Sequence, residues 1–296
     1  MRVLYATDGS TPAREGHSLI TSLFDRSQAD ITVFTVTPEP IDDLLLPEGT
    51  PEPAPLDMPV LDAERVAGTA AEQLVANGFS ASSSSSVGDP AQEILRVIES
   101  GPYDLVVFGA AHITWLGNFL LGRVSMHVLH NAPCSVVVTH RAPTGTGRIL
   151  VGADGSQDCL SSIRSAAMIL DRDRCLVEVA TVVSHPWMFV DTYPAGTFLG
   201  HAPDPQALER ERIERGRVVA QRASAEAKAM GFKMMDEAVL VGRPGSQLLK
   251  EADNLRADLV VVGSRGDGAL SHALLGSVSD QVVRHAPATF VGRIAV

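Results

Sequence analysis

The sequence predicts an α/β fold in two tandem copies, each a parallel sheet with helices on both faces. Three observations carry this. The chain repeats itself at about half its length, short apolar runs alternate with longer amphipathic ones, and cap and turn residues stand at the junctions.

The repeat is seen in three blocks that keep their order. "RVLYATDGS" at 2–10 returns as "RILVGADGS" at 148–156, an offset of 146. "YDLVVFGA" at 103–110 returns as "ADLVVVGS" at 257–264, and "NAPCSVVV" at 131–138 as "HAPATFVG" at 285–292, both offset by 154. The second copy is therefore longer by 8 residues, all gained between its first strand and Gly242. This divides the chain into a domain at 1–140 and a domain at 148–296. "HRAPTGTGR" at 140–148, rich in turn residues, links them.

Along the first copy, the Val-, Leu- and Ile-rich runs at 2–6, 31–36, 104–108 and 134–138 read as buried strands. Helical periodicity fills 12–24, 61–76, 90–99 and 123–130, and Pro12 after Ser10 and Thr11 suits a helix start. "SASSSSSVG" at 80–88 has the composition of a linker. It aligns, however, with "KMMDEAVLVG" at 233–242, where the alternation needs a strand, so it is read as a short edge strand. In the second copy the strands fall at 148–153, 175–182, 258–262 and 288–291, and the helices at 157–170, 206–230, 245–254 and 277–285. Alternating strands and helices imply parallel pairing with right-handed crossovers. Proline-rich inserts follow the second strand of each copy, at 37–59 and 184–205. The aromatics Trp187, Phe189, Tyr193 and Phe198 in the second insert suggest that it packs on a partner or on the protein's own core.

Bulk properties exclude several function classes. The net charge of −11 opposes non-specific binding to nucleic acid or to an anionic membrane. Residues 1–147 hold 7 basic and 17 acidic side chains, whereas 148–296 hold 17 and 18, so the second half is the better host for a polyphosphate. Cys134, Cys159 and Cys175 are odd in number and share no metal-ligand spacing. The N-terminus lacks a signal-peptide pattern and no apolar run reaches bilayer length, so a cytoplasmic protein is expected.

Chemistry concentrates in "GSRGDGALSHALLGS" at 263–277. It is neither G-x-x-x-x-G-K-[ST] nor G-x-G-x-x-G, so its meaning depends on where the fold puts it. Ligands of doubly wound sheets bind beyond the carboxyl ends of the strands. Asp154 ends the first strand of the second copy, Gly263 ends another, and Gly276 and Ser277 open a helix. A helix start offers free N–H groups to an anion, and glycines let backbone approach without a Cβ. Asp154, acceptor-only when ionised, suits a ribose hydroxyl.

Gly263-x-x-Gly266, nine residues, then Gly276-Ser277 resembles the ATP-binding signature of the universal stress protein family. "GRPG" at 242–245 and "HAP" at 285–287 are similar to further blocks of that family, and the resemblance runs over both copies. It implies a flavodoxin-like (adenine nucleotide alpha hydrolase-like) domain with a five-stranded parallel sheet of order 3-2-1-4-5. It also implies a stress-linked regulatory or protective role through ATP, carried with or without Mg²⁺, rather than a defined reaction. The nucleotide-contacting residues it implies are Asp154, Val182, Gly263, Arg265, Gly266, Gly276, Ser277, Val278 and Ser279, with adenine held along the backbone near Val182. Pairing through the last strands, 134–138 and 288–291, is implied as well, and a homodimer is compatible with it.

The first copy departs from the signature. It reads Gly109-x-x-His112, nine residues, then Gly122-Arg123, while Asp8, Val36, Gly88, Gly109, Gly122 and Ser125 match their counterparts. His112 sets a side chain where backbone should meet phosphate. Arg123 either compensates with its guanidinium or is a solvated helix-start residue. The acidic surroundings favour a decayed or weakened first site.

Other candidates carry less. His127, His130 and His140 lack a completing ligand for a metal site, and "LERERIERGRVVAQR" at 208–222 reads as a solvated helix face with i,i+4 pairs. No histidine is placed to serve Ser277 as a base, although His272 lies in the loop within reach of a γ-phosphate. An efficient ATPase is therefore not supported, and a slow ATP-hydrolysing or adenylyl-transferring enzyme is the alternative reading.

Overall fold

A computed structural model describes residues 1–39, 62–110, 113–115, 118–120, 122–184, 205–266 and 275–293, with backbone only at 113–115, 118–120 and 205. The first half runs β1 (Arg2–Ala6), α1 (Thr11–Leu23), β2 (Asp30–Thr37), α2 (Ala63–Ala76), β3 (Ser80–Val87), α3 (Pro90–Ser100) and β4 (Leu105–Gly109). A short hairpin follows, β5 (Ile113–Trp115) with β6 (Asn118–Leu120), and then α4 (Arg123–Asn131) and β7 (Ser135–Thr139). The second half runs β8 (Arg148–Ala153), α5 (Gln157–Ala167), β9 (Leu176–Val183), α6 (Pro205–Ala229), β10 (Lys233–Val241), α7 (Pro244–Leu255), β11 (Leu259–Gly263), α8 (Ser277–His285) and β12 (Ala288–Gly292).

Caps account for the helix starts. Ser10, Asp62, Asp89 and Ser156 each accept a hydrogen bond from the third residue on, which satisfies a first-turn N–H. Pro12, Pro90 and Pro244 stand in the first turn, where the missing N–H costs nothing. Helix α6 has a polar surface laced by Glu211–Arg215 and Glu214–Arg217 pairs, as its charge pattern predicts.

Ten strands form one sheet in the order β10-β9-β8-β11-β12-β7-β4-β1-β2-β3. Within each half every pairing of this sheet is parallel and the order is 3-2-1-4-5, as the resemblance implies. The halves join where β12 meets β7, antiparallel, with Ala288 opposite Thr139 and Val291 opposite Val136. The last strands are thus the seam.

Burial on both faces explains the continuous apolar runs of the inner strands. Val3 and Tyr5 turn to one face with α1, α2, α5 and α6, in a core that continues through Val137, Val151 and Phe290. Leu4 and Ala6 turn to the other face, where the core includes Ile98, Leu129, Leu248 and Val283 from α3, α4, α7 and α8. Both cores cross the seam, so the two halves share them.

The serine-rich segment is an edge strand and a long one. All eight residues of β3 pair with β2, from Ser80 opposite Asp30 to Val87 opposite Thr37. Most of its side chains are solvated, which a serine run tolerates at an edge. The hairpin β5–β6 has no counterpart in the sequence reading. Of the inserts at 37–59 and 184–205, residues 40–59 and 185–204, the latter with all four aromatics, lie outside the described residues.

Candidate functional site

Asp154 follows β8 directly. Its Oδ1 accepts the Ser156 N–H at 2.9 Å and the Ser156 hydroxyl at 2.6 Å, while Ser156 in turn caps α5. This local turn fixes the carboxylate at the carboxyl end of the sheet. Its Oδ2 faces Gly266, where an added Cβ would lie 2.9 Å away.

The ends of the glycine loop are pinned. The Gly276 N–H donates to the Ser264 carbonyl at 2.9 Å, and the Ser279 hydroxyl donates to the Gly263 carbonyl at 2.7 Å. Gly263 has α5 backbone against it, 3.1 Å from the position of a Cβ. Helix α8 has Gly276 as its N-cap and so no side-chain cap, unlike α5 and α1. Its first-turn N–H groups at Ser277, Val278 and Ser279 are therefore not taken up by a capping residue and point out beyond the strand ends.

A cavity of about 360 Å³ opens between these parts. Asp154, Val182, Gly263, Arg265, Gly266, Gly276, Ser277, Val278 and Ser279, the nine second-half residues expected from the sequence, all line it. Ala180, Leu248 and Val262 add an apolar wall, and Pro244 of "GRPG" closes one side. Of the nine, Ser279 is buried with its hydroxyl proton committed to Gly263, so it ties α8 to β11.

One contributor escapes sequence reasoning. Asp158, on the first turn of α5, accepts from Arg265 Nε at 3.1 Å and from the Ser264 hydroxyl at 3.0 Å, and so holds the arginine over the cavity. Nothing marks it in the sequence, because its partners lie more than a hundred positions away. Cys159 beside it is buried, and burial pushes its thiol up to about 12, which leaves it a packing residue.

In the first half, Asp8 repeats the Asp154 turn by accepting the Ser10 N–H at 2.9 Å. Gly122 caps α4 without a side-chain bond, Arg123 is exposed, and Ser125 and Val36 are buried. Gly109 ends β4 so close to α1 that an added Cβ would meet the Pro12 carbonyl oxygen. His112 lies outside the described residues, as does His272 in the second-half loop. Asp8 faces a different groove, between α1 and α2. Among the described residues no three His, Cys, Asp or Glu side chains gather as metal ligands, and no helix is long and apolar enough to cross a membrane.

Comparison with known proteins agrees with this architecture. A universal stress protein of Thermus aquaticus is 41% identical over 95 residues, covering 32% of this chain and 66% of the relative. One of Mycolicibacterium smegmatis is 32% identical over 187 residues, 62% of this chain and 58% of the relative. The chain thus spans only about three fifths of that relative's length. Among solved structures, a universal stress protein of Archaeoglobus fulgidus superposes with a TM-score of 0.65 at 21% identity, over 99% of this chain and 98% of that one, a likeness of fold. The sequence model of the universal stress protein family matches residues 1–140 and again 145–291. Two such matches, on a sheet whose halves each run 3-2-1-4-5, show that the chain belongs to the universal stress protein family, as a tandem member.

Proposed function

We propose that the second half binds ATP and that the protein acts as a nucleotide-responsive regulatory or protective member of its family. The observation that carries this reading is the convergence of the two ends of the glycine loop, Asp154 and Val182 on one cavity at the carboxyl ends of β8, β9 and β11. Its volume of about 360 Å³ lies in the range of small-ligand sites.

The residues fit the parts of the ligand. Ala180, Val182, Leu248 and Val262 offer an apolar slot for a base. Asp154 accepts the hydroxyls of a ribose. The uncapped start of α8, with Gly263 and Gly266 beside it, presents N–H groups to phosphates, and Arg265 supplies positive charge. Mg²⁺ would arrive with the phosphates. In this reading the protein works in the cytoplasm, and a second copy of the chain is a candidate partner.

The reading predicts that Gly276→Asp abolishes ATP binding in calorimetry while the circular dichroism spectrum and Tm stay near those of the parent. A carboxylate at the helix start would repel the phosphates that the helix N-terminus attracts. ATP binding of unchanged affinity in that variant would overturn the assignment.

A further inference from the structure

The first half holds a second cavity, larger than the first, that the nucleotide reading does not use. It measures about 640 Å³ and lies between the facing sides of α1 and α2, at the carboxyl end of β1. Arg14, His17 and Ser18 line it from α1, Arg65 and Gln73 from α2, and Asp8 from the loop after β1.

The second half serves as an internal control, because the same groove there is filled. Arg14 and His17 stand where α5 has Leu160 and Ile163, both buried in the core. Gly9 faces Val66 of α2 just as Gly155 faces Val219 of α6, which aligns the second helix of each pair. In that alignment Ser18 and Gln73 replace Arg164 and Glu226, whose ion pair at 2.5 Å closes α5 onto α6. Among the described residues no hydrogen bond or ion pair joins α1 to α2. An apolar, bridged helix pair has thus become, in its twin, a polar and open one.

The polar groups left there include two arginines, a histidine and the carboxylate of Asp8. The first half has 7 basic residues against 17 acidic, yet two of its arginines line this one groove. Among the described residues, Arg65 pairs only with exposed Asp62, at 3.3 Å, and Arg14 has no carboxylate partner. His17 is held against Tyr5, ring centroids 6.4 Å apart, and Tyr5 is itself fixed by donating to the Ala13 carbonyl at 2.7 Å. His17 Nδ1 is buried with no hydrogen-bond partner, a cost that Ile163 does not incur in the other half.

We propose that this groove binds a small organic phosphate bearing hydroxyl groups, of the sugar-phosphate class, at a site separate from the nucleotide cavity. The guanidinium forks of Arg14 and Arg65 match phosphate oxygens in geometry and charge. Asp8 accepts only; one of its oxygens takes the Ser10 N–H, and the other is available to a ligand hydroxyl. Tyr5, Val66 and Ala70 give the carbon skeleton an apolar floor. The inference does not depend on the second half binding ATP.

The test titrates ribose 5-phosphate into full-length protein carrying ¹³C-labelled histidine, with the His17 signal assigned through His17→Gln. The expected result is a saturable movement of the His17 signal and a rise in Tm. The double variant Arg14→Leu with His17→Ile installs the residues of the filled groove, so it is expected to fold. In it the ribose 5-phosphate affinity, read by calorimetry in variant and parent alike because the variant lacks the reporter histidine, should fall by about tenfold or more, while the response to ATP stays unchanged. A His17 signal that does not move at millimolar ribose 5-phosphate would overturn the proposal, as would equal affinity in the double variant. Inorganic phosphate acting as strongly as ribose 5-phosphate would overturn the ligand class.

Discussion

At the scale of single residues, Glu178 makes stability depend on pH. It sits buried on β9, opposite Asp236 of β10, with Glu251 of α7 above it. Burial, reinforced by these two carboxylates, pushes its carboxyl up from 4.5 to about 7. The folded chain therefore keeps a proton that the unfolded chain releases near 4.5. Between those values the native state binds more protons, so stability falls as pH rises from about 4.5 to 7 and stays lower above it. Glu178→Gln should remove that slope and raise stability above pH 7 by on the order of 2 kcal/mol. Urea unfolding at several pH values checks it, and a slope that persists in the variant would contradict the assignment. A glutamate inside a mostly apolar strand gives no such hint in sequence, because its burial depends on α7, which follows from residue 244. The glycines and Asp154 were legible because each meets a local need, a close approach or a turn, that only a few residue types satisfy.

At the scale of elements, the segment between the halves behaves differently from its composition. "HRAPTGTGR" has the residues of a free linker, yet Asp258, buried in the second half, gathers it in. That carboxylate accepts from the Thr144 N–H at 2.5 Å, the Thr144 hydroxyl at 2.7 Å, the Thr146 hydroxyl at 3.1 Å and the Gly147 N–H at 2.8 Å. We propose domains at 1–140 and 148–296 with the connecting segment docked on the second. Asp258→Ala would leave these donors partly unsatisfied and should cost about 2–4 kcal/mol, with faster amide exchange at Thr144 and Gly147. A loss below 1 kcal/mol, the scale of one ordinary hydrogen bond, would mean that water replaces the carboxylate at no penalty. Strand β3 makes the complementary point. Composition called its serines a linker, and only the repeat identified them as a strand, since the full register along β2 depends on a neighbour rather than on intrinsic propensity.

At the scale of the whole molecule, the seam makes the halves one body. Besides the β7–β12 pairing, Arg293 reaches from the end of β12 to the Leu129, His130 and Ala132 carbonyls, where α4 ends. His140, just after β7, meets the Val283 carbonyl near the end of α8 at 2.6 Å. The helix that opens each glycine-loop site is thereby tied at its far end to the opposite half. The halves are alike in fold and unlike in chemistry. The second keeps the whole glycine signature around one cavity, whereas the first replaces a glycine by His112 and opens its polar groove elsewhere. The fold class followed from repetition and alternation, which are properties of the chain as a whole, whereas the strand order and the seam followed from the family resemblance. The groove between α1 and α2 did not, because it arises from side chains that fail to fill a space.

The most direct measurement of the central claim is to saturate the full chain with ATP, remove the excess, denature the protein and count the adenine nucleotide released per chain. The account predicts a value near one, held by the second half. A value near zero, with no binding in titration, would contradict it, and a value near two would show that the first half had kept a site despite His112 and Arg123.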